Sequence, residues 1–366
     1  MSTKAKGIVL AVLLALIWLL SFGLAQFESV TIFYSEHIYP PIQSGRMVVF
    51  GFIPFSIGDV LYVCGWTWLL ITLLRWVYYV RKIGAHKERL GKSVLNTIIV
   101  GATIYLLFLI GWGANYSKKP LAESWHLNTR RYSTEERTAA TEATRQFNRF
   151  LVSKLNAYAL HYKTTPRDHI NEKAKAYYRT YTNSHVKKHG LEVKATLFSY
   201  PMQIMGIDGY YNPFTGEGQI CTGVPLFVMP FTLCHEMAHQ AGIASEGDAN
   251  LLAYAVCTKS NDATFRYAAY LNLWLYANNR LFRFDSVSAK ELEAQLNPLT
   301  LRHIDTVEQL EKRYRGLLSH YTSIVYDSYL HMQDQEKGIK SYGNVIDDAW
   351  QLEKRGKFRV GTIPIP

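Results

Sequence analysis

Apolar residues crowd into the first third of the chain. Gly7 to Ala25 (GIVLAVLLALIWLLSFGLA) carries no charge, is long enough to span a bilayer, and follows Lys4 and Lys6. A second run extends from Val60 to about Val80, with Trp66, Trp68, Trp76, Tyr78 and Tyr79 as interfacial anchors. A third covers Val94 to Trp112. Between the last two lies a basic stretch, Arg75, Arg81, Lys82, Lys87, Arg89 and Lys92, with Glu88 opposing it. Residues 26–45, including Pro40 and Pro41, read as a polar-aromatic loop. Met47 to Ile57 is apolar but too short and too interrupted by Gly and Pro to span, which suits a re-entrant or interfacial segment. The first run can be a cleaved signal, with Gly23 and Ala25 before the cut, or a retained helix; retention fits the two spans that follow. Excess Lys and Arg then place the N-terminus and the basic loop in the cytoplasm, and everything after Trp112 on the outer side.

From residue 115 the pattern changes to amphipathic periods. Ser133 and Glu136 form a capping box for a helix reaching about Tyr158, with Ala140, Ala143, Phe147, Phe150 and Leu151 on its apolar face. Ile170 to Lys188 reads as a second helix whose stripe, Tyr177, Tyr178 and Tyr181, serves packing. Leu191 to Tyr200 alternates like a strand, and Ile207–Tyr211 and Gln219–Thr222 are short strands around the turn-rich NPFTGEG. Asp262–Leu281, Ser288–Leu296 and Val307–Met332 are helical again. The expected architecture is α-rich α+β: a membrane region over residues 1–114 with three transmembrane helices, then a mainly helical extracytoplasmic domain over 115–366 with a small β-sheet.

The formal net charge of +11 brings in a possible polyanionic partner. No compact basic motif accompanies it, and Lys and Arg are interspersed with Glu and Asp, so nucleic acid is not expected; anionic lipid headgroups are the simpler counterpart. Four cysteines are present, and Cys221, Cys234 and Cys257 lie in the soluble part. An odd number there excludes a disulfide framework, leaving at most one bridge, for instance Cys221 to Cys257.

One stretch carries chemistry: TLCHEMAHQAGIASEGDANLLAY, Thr232 to Tyr254. His235 and His239 stand four apart, so on a helix both imidazoles project from one face as two ligands of a tetrahedral Zn²⁺. Glu236 beside the first ligand can take a proton from a water activated by such an ion. Gly242 is placed to end the helix in the left-handed conformation and turn the chain back. A third ligand then comes from Glu246 or Asp248, which point in different directions from a helix capped by Ser245. Glu246 is favoured, because Asn250 shares its face and can orient a ligand. Small apolar neighbours such as Ala238, Ala241, Ala249 and Ala253 mark a buried helix pair, where His, Glu and His are costly without a partner.

The runs GYYNPFTGEGQICTG, CHEMAHQAG and EGDANLLAY resemble a bacterial membrane-protein family known as domain of unknown function 3810, grouped with the zincin metallopeptidases. The resemblance extends to FSIGDVLY (Phe55 to Tyr62), WGANY (Trp112 to Tyr116) and GIKSYG (Gly338 to Gly343). It implies a membrane-anchored, zincin-like zinc peptidase fold and supplies no substrate. Glu246-x-x-Ala249-Asn250 is also similar to the third-ligand segment of other Glu-ligand zincins, which usually place more chain before the Glu. The resemblance singles out Tyr342 as a hydroxyl that can stabilise an oxyanion. It also directs attention to Gly216–Thr222, either as a sheet edge where an extended peptide could add or as part of an ordinary hairpin bracing the helix that carries the histidines.

The expectation is therefore a membrane-anchored zinc metallopeptidase acting on peptide or protein substrates: Zn²⁺ on His235, His239 and Glu246, with Glu236 and Tyr342 catalytic. The alternative is a membrane scaffold with a structural metal. An intramembrane protease fits less well, since the His-containing helix is short and closely followed by Gln240, Ser245, Glu246 and Asp248.

Overall fold

The three apolar runs form helices α1 (Thr3–Gln26), α4 (Ile57–Arg81) and α5 (Ile83–Gly111), each long and apolar enough to cross a membrane. The computed structural model describes residues 2–127, 136–183, 191–314, 342–356, 358 and 361–365, with side chains from 345 onwards in the last helix. The Ser2 hydroxyl caps α1 by accepting the Ala5 N–H at 3.2 Å. α5 starts eleven residues before the expected third span, because Ile83 to Lys92 extends the helix and Lys92 pairs with Glu88 one turn back. Lys6 donates to Asn96 at 2.7 Å, so α1 begins alongside α5.

Residues 26–45 are not a loop. They form α2 (Glu28–Phe33), a π-helical turn (Tyr34–Ile38) and the start of α3 (Tyr39–Phe50). Pro40 and Pro41 read as breakers, yet they sit in the first turn of α3, where no intrahelical N–H is needed and their fixed φ suits a helix. Tyr39, Gln43 and Met47, spaced four apart, form the buried face.

The chain divides into two compact units, and the first consists of residues 1–118 together with 212–217. In that loop the Asn212 side chain accepts the Phe214 and Thr215 N–H groups at 2.9 and 3.1 Å, and Gly216 takes φ +72°. Gln43 donates to the Gly216 carbonyl at 2.9 Å. The buried Glu217 carboxylate accepts the N–H groups of Ile57 and Gly58 at 3.3 and 2.7 Å, satisfying donors that the start of α4 leaves open. A Cβ on Gly58 would lie 2.4 Å from the Asn212 amide nitrogen, so the loop fits only against glycine. FSIGDVLY and NPFTGEG, distant in sequence, are thus two halves of one helix cap.

The second unit, residues 119–211 and 218–366, is mostly helical. It contains α6 (Leu121–Ser124), α7 (Arg137–Ala159), α8 (Arg167–Tyr181), α9 (Ser199–Ile204), α10 (Met229–Gln240), α11 (Glu246–Lys259), α12 (Ala263–Phe284), α13 (Ser286–Glu293), α14 (Pro298–Tyr314) and α15 (Tyr342–Arg355). Ser133, residues 184–190 and residues 315–332 of the helix expected over Val307–Met332 lie outside the described residues. Its core is built around α10, α11 and α12, with Tyr254, Tyr267, Phe265 and Trp274 among the largest buried side chains.

The sheet is small: β1 (Val193–Ala195), β2 (Gly209–Tyr211) and β3 (Gly218–Ile220), in the order β1-β3-β2, with β3 parallel to β1 and antiparallel to β2. The strand expected over Leu191–Tyr200 stops at Ala195, because the Thr196 hydroxyl accepts the Phe198 N–H at 3.0 Å and α9 begins at Ser199. β3 is central and paired on both sides, so the Gly216–Thr222 segment is not an edge to which a peptide could add. All four cysteines are free. Cys221 and Cys257 do not approach each other as a bridge: the Cys221 thiol donates to the Ile207 carbonyl, and that of Cys257 faces the Pro230 carbonyl.

Candidate metal centre

α10 is buried on nearly every side, which its small and apolar residues permit, and the two imidazoles emerge from it one turn apart. Tyr178 of α8 braces the helix, donating its hydroxyl to the Cys234 carbonyl at 2.5 Å, directly before the first histidine. The helix then ends in a Schellman turn. Gly242 takes φ +91°, its N–H reaches the His239 carbonyl at 2.9 Å, and the Ile243 N–H reaches the Ala238 carbonyl at 3.1 Å. This turn returns the Ile243 carbonyl to His239, whose Nδ1 lies 2.7 Å from it.

A carbonyl only accepts, so Nδ1 of His239 carries the hydrogen and Nε2 presents its lone pair. His235 is oriented in the same manner by Asn250, with 2.9 Å between Nδ1 and the amide oxygen. Both Nε2 atoms consequently face each other at 3.2 Å. The Ser245 hydroxyl starts α11 by accepting the Asp248 N–H, which brings Glu246 to the same point: its carboxylate oxygens lie 3.1 Å from His235 Nε2 and 3.6 Å from His239 Nε2.

The ligand atoms of His235, His239 and Glu246 all lie within 4.8 Å of one another. Asp248, the other acid weighed from sequence, turns away and accepts the Leu121 N–H at 3.1 Å. The charge state follows from this crowding. Burial disfavours charge on His235, but the hydrogen bond to Glu246 and its negative charge outweigh that and raise the pKa to about 9. Burial lowers that of His239 to about 4, against the pull of Glu246. Without a cation, a single proton on His235 therefore keeps two lone pairs and a carboxylate from repelling one another. A divalent ion can occupy the same place, where it would satisfy all three donors at once.

Glu236 projects beside this cluster. Only 3 % exposed, its side chain has one carboxylate oxygen with no hydrogen-bond partner among the described residues. Burial raises its pKa to about 8, with His235 opposing the rise. The backbone of β2 passes so close that a Cβ on Gly209 would meet Glu236 Oε1 at 2.6 Å. Gly218 of β3 likewise passes over Glu236, where an added Cβ would lie 3.3 Å from that of the acid. The sheet thus covers the acid while holding it next to the three candidate ligands.

Three features of the site were not read from the sequence. The Ile243 carbonyl is backbone and leaves no residue signal. Gly209 stands in GYYNPFTGEG, where its role shows only once β2 lies on α10. Tyr276 of α12 is within electrostatic reach of Glu246 and Asp208; burial, reinforced by those carboxylates, raises its hydroxyl pKa to about 12. From the sequence its segment, Asp262–Leu281, reads only as a helix. The side chain of Tyr342, expected near the oxyanion, lies outside the described residues.

No curated protein matches this chain, and no solved structure does. The family model described as "Protein of unknown function (DUF3810)" matches residues 34–348, a span that holds α4, α5, the sheet and the whole His-His-Glu cluster. With that much of its length matched, the chain belongs to the DUF3810 family.

Proposed function

We propose that this protein is a membrane-anchored, zinc-dependent peptidase of zincin type. The observation that carries the reading is the convergence of His235, His239 and Glu246 within 4.8 Å, with the buried, partnerless carboxylate oxygen of Glu236 beside them. Zn²⁺ bound there would supply Lewis acidity, polarising a scissile carbonyl and lowering the pKa of an attacking water. Glu236 would accept the proton of that water and pass it to the leaving amine, a role suited to a carboxylate whose burial keeps its pKa near the working pH. Three protein donors leave one tetrahedral position for water or substrate, whereas a structural zinc takes four. This favours catalysis over the scaffold alternative among the described residues. The basic ends of the membrane helices, Lys4 and Lys6 in the first turns of α1 and Arg81 to Lys92 around the α4–α5 turn, support an extracytoplasmic site.

Metal analysis and peptide turnover on the purified full-length protein test the proposal together. Wild type should hold about one zinc per chain, and His239→Ala should lose it. Glu236→Gln should keep the metal while turnover falls by roughly 10²- to 10⁴-fold. Full activity in Glu236→Gln, or equal metal content in His239→Ala, would overturn it.

A further inference from the structure

The described part of the second unit exposes few large apolar side chains, and three of them fall within six residues. Phe282 and Phe284 close α12 and Val287 opens α13, at 50, 41 and 66 % exposure. Cations surround them. Lys290 Nζ lies 5.9 Å from the Phe282 ring centre and the Arg137 guanidinium 5.0 Å from that of Phe284, while Arg283 between the two rings is exposed. Asp285, the acid inside the segment, pairs at 2.7 Å with Arg145, a guanidinium it shares with Glu142, and caps α13 through the Ser288 N–H at 3.0 Å, so two carboxylates stand against the four cations Arg137, Arg145, Arg283 and Lys290. The patch therefore offers protruding aromatic and aliphatic groups with a net positive rim.

We infer that Phe282, Phe284 and Val287 form a membrane-surface anchor, inserting among the headgroups of an anionic leaflet while Arg137, Arg283 and Lys290 meet lipid phosphates. Rings at the headgroup level with cations beside them are the chemistry of the membrane interface. A dry protein interface would instead leave these three cations needing acidic partners. The chain also carries its own bilayer on three candidate spans, so lipid is present at high effective concentration without a diffusing partner.

The test uses the full chain in nanodiscs containing phosphatidylglycerol. In a Cys64→Ala background, where the remaining cysteines are buried, a nitroxide is placed at Val287→Cys or, as reference, at Leu160→Cys, a site 74 % exposed elsewhere on the unit. Both sites are exposed enough to accept a label without unfolding. The label at 287 should respond more to oxygen than to a water-soluble nickel chelate, with the order reversed at 160. Adding Arg283→Glu and Lys290→Glu should move the 287 label severalfold towards the chelate. Equal chelate access at both sites would overturn the anchor, and so would protection of 287 from both reagents, which means a protein covers the patch.

Discussion

α4 and α10 are both rich in apolar residues, yet they place them oppositely. Along α4, Trp66, Leu70 and Leu74 are 70, 58 and 61 % exposed, and the polar groups Asp59 and Thr72 are buried. Along α10, Leu233, Met237 and Ala238 have no exposure at all, and the polar groups among them are His235, Glu236 and His239. A helix facing lipid turns its apolar surface outward and uses polar residues to fix its position; a helix inside a protein core admits polar residues only where a partner answers them. In α10 the answers to the two histidines are the Ile243 carbonyl, Asn250 and Glu246, plus one ion or proton, while one oxygen of Glu236 stays without a partner among the described residues.

Cutting side chains at matched positions tests that contrast most strongly. Leu252→Ala, in the core face of α11 with no exposure, should destabilise by about 2–5 kcal/mol, whereas Leu70→Ala should cost about 0.5 kcal/mol or less. Thermal unfolding of the full chain in nanodiscs, followed by tryptophan fluorescence, would measure both; equal losses would erase the distinction. Next comes Gly242→Ala, where a left-handed φ of +91° is imposed on a side chain at about 1–2 kcal/mol. The Ile243 carbonyl would shift as well, so zinc affinity should fall along with the melting temperature. An unchanged affinity would show that this carbonyl does not orient His239.

Proton competition sharpens the same point. The metal-free site holds a proton on His235 with a pKa of about 9, and that proton must leave before an ion binds. Below pH 9, zinc affinity should drop about tenfold for each unit of acidification, and it should level off above. Titration calorimetry in buffers of differing ionisation enthalpy would detect about one proton released per ion at pH 7; no release would contradict the charge state derived for the site. The smallest effect is expected in the first unit. Glu217→Gln keeps the shape but weakens the cap on Ile57 and Gly58, costing about 1 kcal/mol by the same unfolding assay and leaving zinc content unchanged.

Particular residues mark what could be read from the chain. Gly242 as a helix stop, Ser245 as a cap and Asn250 behind a histidine were legible because each acts within a few residues of its partner. Pro40 and Pro41 were misleading: proline ends a helix from within and favours one at its first turn, and only the surrounding packing tells which applies. The strand near Gln219 was legible, but reading Gly216–Thr222 as an open edge failed for a related reason. A three-residue strand shows its pairing partners nowhere in its own sequence, and β1 lies far enough upstream that no turn signal links them.

By itself the sequence determined where apolar length suffices to cross a membrane and which residue types stand at metal-ligand spacing, because both depend on periods of one helix turn or on run length. Only the tertiary structure decided that Glu246 rather than Asp248 faces the imidazoles, that Gly209 lies against Glu236, and that Glu217 caps α4. Those are distances between segments whose separation in sequence carries no geometric information until the chain has packed.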